Sequence, residues 1–200
     1  LSAPRRARGG ERKADWGTSA FAAVALVVSL LFAVPLAASR FGGDLSAMPT
    51  ASAEVLASSI EAGLASPADS KARARLEDLS RREVALRPGS GAAWLRKAAV
   101  DFQRGDIAAA NIALGRSFAV APLQTSLFRS RTRLAYEHWP ELSETVREQV
   151  IYQAHTEFGR PGGEGRLRSV VGTINSPSGR LALAFLIVAE RLSQAQAKAQ

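Results

Sequence analysis

Apolar and polar residues follow two regimes along the chain. Residues 16–39 carry no charge, and the stretch from Ala20 to Ala38 is almost wholly apolar. About 20 apolar residues in a helix cross the roughly 30 Å core of a bilayer, so 16–39 predicts a transmembrane helix. From Ala53 onward the pattern becomes helical, with apolar residues three and four apart and no sustained period-2 alternation. Seven helices are predicted, over 53–65, 69–87, 90–104, 106–120, 124–138, 143–158 and 178–197. Pro67, Pro88-Gly89, Gly105, Pro122, Pro140 and the loop Gly159-Arg160-Pro161-Gly162-Gly163 separate most of them. The one strand-like stretch, Val170-Val171-Gly172-Thr173-Ile174, is short and broken by glycine. In the last helix Leu181, Ala184, Phe185, Val188 and Leu192 form one apolar stripe, widened by Leu183, Leu186 and Ile187. That breadth predicts burial on two sides, and the run is too short for a second crossing.

Charge orients the first regime. Arg5, Arg6, Arg8, Arg12 and Lys13 precede the apolar run, against Glu11 and Asp15. Positive residues stay on the cytoplasmic side, so 1–15 reads as a disordered basic cytoplasmic tail and everything beyond Arg40 as exported. A cleaved signal peptide is the competing reading, but its apolar core is usually only about 7–15 residues. Trp16 and Phe41 suit interfacial anchoring of a retained helix. Residues 40–52 are small, polar and turn-forming, a linker to an exported all-helical domain at 53–200. The part after Arg40 holds 20 basic and 16 acidic residues, a net charge of only +4. Nucleic acid calls for a clustered basic face, so no nucleic-acid partner is expected. There is no cysteine, hence no disulfide and no thiolate metal site. Richness in Ala, Arg and Gly with a single Met is the usage of high-GC bacterial genomes.

Within the exported part, Pro88 and Pro122 stand 34 residues apart and each closes an Ala-containing helix end. Between them Trp94, Ala98 and Phe102 fall on one helix face, and Ile107, Ala110, Leu114 and Phe118 on the face of the next. Ala98 and Ala110 are small where two helices approach. Gly105 can take the left-handed conformation that ends a helix, and Asp106 can cap its successor. This hairpin, 91–124, resembles the tetratricopeptide repeat at Trp94, Ala98, Gly105, Asp106, Ala110, Leu114 and Pro122. The chain departs from that pattern at Lys97, Asp101 and Ser117, where the family prefers Leu, an aromatic residue and Ala. The resemblance implies an all-α domain built as a short α-solenoid, with Trp94 packed between the two helices. A single repeat cannot bury both its faces, so 53–87 and 124–158 are expected to flank it.

No arrangement for catalysis is visible. His138 and His155 lack metal-ligand spacing, no GxSxG or GK[ST] motif occurs, and no carboxylate pair is singled out. Catalytic, cofactor and metal residues are therefore expected to be none, and the protein is not expected to be an enzyme. Arg129 and Arg133, one turn apart, could meet an anionic partner; Arg160, Arg166 and Arg168 flank a glycine-rich loop that reads as flexible. The plainer reading of both sets is a solvated face paired to Glu137, Glu141 and Glu157. The segment Trp139–Arg147 resembles one found in proteins of exopolysaccharide synthesis and export loci. Together these features imply a single-pass protein of the bacterial inner membrane with a periplasmic adaptor domain. Its partners would be the lipid bilayer and other envelope proteins. A periplasmic glycan-binding or glycan-processing domain is the alternative.

Overall fold

The computed structural model describes residues 51–66 and 69–199, and the transmembrane expectation at 16–39 lies outside them. Among the described residues every regular element is helical. In chain order these are α1 (Ala53–Leu64), α2 (Ser70–Leu86), α3 (Gly91–Arg104), α4 (Ile107–Val120) and α5 (Thr125–Glu137). A 3-10 turn (Trp139–Glu141) leads to α6 (Glu144–Phe158), α7 (Gly163–Val171) and α8 (Pro177–Ala199). None of them is long and apolar enough to cross a membrane.

Helix starts follow from capping chemistry. The side chains of Ser52, Asp69, Ser90, Asp106 and Ser143 each accept a hydrogen bond from a backbone N–H of the first turn, supplying an acceptor that the helix itself lacks there. Ser176 does the same for Gly179 N–H, with Pro177 in the first helical position. Between α3 and α4, Gly105 sits at φ 78°, in the left-handed region. Its N–H bonds Phe102 O and the Asp106 N–H bonds Asp101 O, the paired closure that a left-handed residue allows.

Most consecutive helices pack on one another. α2 lies on α1 and α3, α3 pairs with α4, and α1, α3 and α5 follow one another along one side. α8 covers the far end, against α5, α6 and α7. Ala98, Phe102, Ala110, Leu114 and Phe118 fill the α3–α4 seam and continue into a core that reaches Leu167, Leu183 and Ile187. Burying each of the larger side chains stabilises the fold by about 1.5–3 kcal/mol.

Trp94 is partly buried and packs against the core, and its indole N–H donates to Pro88 O at 2.7 Å, so it also pins the incoming turn. Two expectations need correction. The glycine-rich stretch is not a loose loop. Gly163 opens α7, and a Cβ there would stand 1.8 Å from Glu157 O. The strand-like residues end this helix and its following turn. Finally, α8 is buried on one side only: Leu183 and Ile187 face the core, whereas Leu181, Phe185, Val188 and Leu192 are exposed.

Candidate functional site

An open groove of about 810 Å³ runs across the first helix of each successive pair. α1 contributes Glu61 and Leu64, α3 contributes Ala92, Leu95, Arg96, Ala99 and Gln103, and α5 contributes Leu127, Ser130, Arg133, Leu134 and Glu137. The α3 residues recur at i, i+3, i+4, i+7 and i+11, so one helical face forms the floor. Ala92 and Ala99 leave that floor low between its neighbours. The lining is mostly apolar, with Glu61, Arg96, Arg133 and Glu137 as its charged members.

Buried polar networks hold the walls. Glu83 on α2 is fully buried and takes two hydrogen bonds from the Arg96 guanidinium, one from Nε at 3.0 Å and one from a terminal nitrogen. Arg96 also donates to Glu61 at 2.9 Å. The hydrogen bond to Glu83 raises the Arg96 pKa against the opposing effect of burial, and the pair locks α1, α2 and α3 together. On the same helix Asp101 is buried and paired with Lys97 at 2.9 Å, with Arg104 more distant at 4.0 Å. Burial nevertheless raises its carboxyl above the ordinary value, opposed by Lys97.

Arg131 on α5 is fully buried and has no carboxylate partner among the described residues. Its Nε donates to Ser117 Oγ at 2.9 Å, and its terminal nitrogens donate to Ala121 O at 2.7 Å and to Ser117 O. Ser117 Oγ in turn donates to Gly91 O at 2.7 Å. The guanidinium lies 4.9 Å from the Phe118 ring centroid. Burial pushes its pKa down to about 10, still far above neutrality, so it remains a cation. It sits at the C-terminal end of α4, where free carbonyls and the helix dipole favour positive charge. Arg131 thus joins α5 to the α3–α4 hairpin and fixes the groove's third wall.

The expected repeat positions occupy related places. Ala98, Ala110 and Leu114 are wholly buried, Gly105 and Asp106 make the turn, and Pro122 follows the end of α4. Of the two arginines considered for partner binding, Arg133 lines the groove and Arg129 does not; both are exposed and without an ion pair among the described residues. His138 lines the groove edge, its ring stacked on Phe102 at 4.0 Å and its Nδ1 2.7 Å from Glu141. His155 lies elsewhere, exposed, 2.7 Å from Glu190. Arg160 and Arg166 both pair with buried Glu157 and hold the α6–α7 turn, whereas Arg168 pairs with Glu164 within α7. Sequence reasoning missed Arg131 and Glu83 as framework residues. The signal was present: Arg131 interrupts the stripe Phe128, Thr132, Ala135, and Glu83 follows Leu76 and Leu79 on theirs. Comparison with protein families, curated proteins and solved structures finds no match for this chain.

Proposed function

We propose that the protein is a non-enzymatic adaptor of the bacterial envelope. It is anchored by the apolar run at 16–39 and holds a partner protein in the groove of a periplasmic, tetratricopeptide-like domain. The observation that carries this reading is the groove. The first helices of three consecutive pairs line one mostly apolar groove, and Arg133 at its edge has no ion pair among the described residues. Pockets with an apolar lining and a few placed polar groups are the usual form of a binding site. Side chains from three helices let an elongated segment of a partner be gripped at several points.

The resemblance of the segment Trp139–Arg147 and the predicted topology support a partner among proteins of exopolysaccharide synthesis or export. Deletion of the gene tests this. Export or assembly of a surface polysaccharide should fall while each synthetic step measured in extracts persists. Complementation with His138→Ala, His155→Ala or a single carboxylate variant should restore it, and Arg133→Glu should not. A folded histidine or carboxylate variant that fails to complement would instead point to a glycan-processing enzyme.

A further inference from the structure

We infer that α8 is a membrane-surface helix whose exposed face docks on an anionic phospholipid bilayer. This proposal does not depend on the groove. Leu181, Phe185, Val188 and Leu192 are 58%, 66%, 52% and 60% exposed, and at helical spacing they form one stripe directly opposite buried Leu183 and Ile187. Single exposed apolar residues are ordinary; four large ones in a continuous line mark an interaction surface.

Charge names the occupant. Arg180, Arg191 and Lys198, 11 and 7 residues apart, fall on the same flank of this stripe, and all are exposed. Arg180 and Lys198 have no ion pair among the described residues. Arg191 forms an ion pair with Glu164 at 2.6 Å, but Arg168 is paired to the same oxygen at 3.0 Å, leaving that cluster positive. The one acid of α8, Glu190, lies on the core side against His155. An apolar stripe with a basic flank and no exposed acid is the pattern of a helix lying in a bilayer interface with anionic lipid.

A second copy fits less well. Antiparallel pairing of two stripes would bring the basic flanks together. Four side chains supply on the order of 400 Å² per copy, about 800 Å² for a pair, short of the roughly 1,200 Å² in total at which stable interfaces begin. If residues 16–39 cross a bilayer, the 13 residues from Arg40 to Ser52 extend at most about 45 Å. The domain would then never leave the reach of that surface, at a high effective concentration.

The chain has no cysteine, so one introduced thiol takes one label. The full chain carrying Ala189→Cys, beside the intact stripe, is labelled with bimane and reconstituted in vesicles of bromine-substituted phosphatidylcholine with or without phosphatidylglycerol. Ile112→Cys on α4, also an exposed position, is the control. Several-fold stronger quenching at position 189 than at 112 is expected with phosphatidylglycerol. It should fall to the control level without that lipid, at high salt, or when Phe185→Asp or Arg180→Gln with Lys198→Gln is added. Circular dichroism confirms that each variant is folded. Quenching at 189 no greater than at 112 overturns the proposal. Equal quenching in both lipid compositions removes the charge complementarity on which it stands. Efficient disulfide pairing of Val188→Cys chains, with no quenching, assigns the face to a second copy instead.

Discussion

The α3–α4 hairpin and α8 carry apolar residues at the same helical spacing, yet these residues end in opposite environments. In the hairpin Ala98, Phe102, Ala110, Leu114 and Phe118 all meet the facing helix or the core. In α8 two residues, Leu183 and Ile187, reach the core while the longer stripe from Leu181 to Leu192 stays outside. Periodicity therefore fixes which residues share a face, but not whether another element lies against it. The hairpin also resolves its polar residues internally. Lys97 and Asp101, two departures from the repeat pattern, pair with each other. The third, Ser117, anchors Arg131. In α8 Arg180 and Lys198, exposed beside the apolar stripe, have no ion pair among the described residues, and only Arg191 reaches back to the fold, at Glu164.

The sharpest way to break this contrast is to remove the hairpin's polar tie. Arg131→Ala should destabilise the protein by about 3–5 kcal/mol, because Ser117 O and Ala121 O lose their donor in a buried place and a cavity remains. Denaturant melts measure it, and a loss under about 1 kcal/mol would mean that water satisfies these carbonyls without cost. Trp94→Ala is expected to cost less, about 1–2 kcal/mol, since the side chain is only partly buried and its indole secures Pro88 O. A loss as large as that of a fully buried aromatic would show that it contributes to the hairpin as a core residue does.

A subtler effect concerns pH. Burial raises the Asp101 carboxyl above its ordinary 3.8, so the folded state binds this proton more tightly than the unfolded state. The group's contribution to stability is then fully present below its unfolded value and is lost as pH rises through its folded value. Urea melts of wild type and Asp101→Asn should show the wild type losing ground to the variant as pH is raised from about 4 to about 7. A constant difference would show that Lys97 fully compensates the burial. The smallest effect belongs to α8: Phe185→Ser should leave stability within about 0.5 kcal/mol, as for surface positions, and a larger loss would mean that the stripe is covered.

Much of the helical framework was legible because its punctuation is local. Ser90, Asp106, Ser143 and Ser176-Pro177 cap helices through their own side chains, and Pro88, Gly105 and Pro122 stop them. Helix α7 was not legible, because Gly163 and Gly165 have poor intrinsic helix propensity and only the approach to Glu157 O shows why glycine stands at 163. The buried roles of Arg131 and Glu83 depend on partners 14 and 13 residues away, which spacing alone does not choose. The groove was visible only as an implied repeat. Its lining requires knowing that α1, α3 and α5 share one side.

Site-resolved photocrosslinking in native membranes addresses the adaptor role most directly. A photoreactive phenylalanine analogue replaces Gln103 or Ser130 in the groove, or Ile112 on α4 outside it. A discrete adduct with a polysaccharide synthesis or export protein is expected from the two groove positions, lost with Arg133→Glu and absent from Ile112. No groove adduct from a protein that still complements, or equal adducts from Ile112, would contradict the assignment of the groove as the partner site.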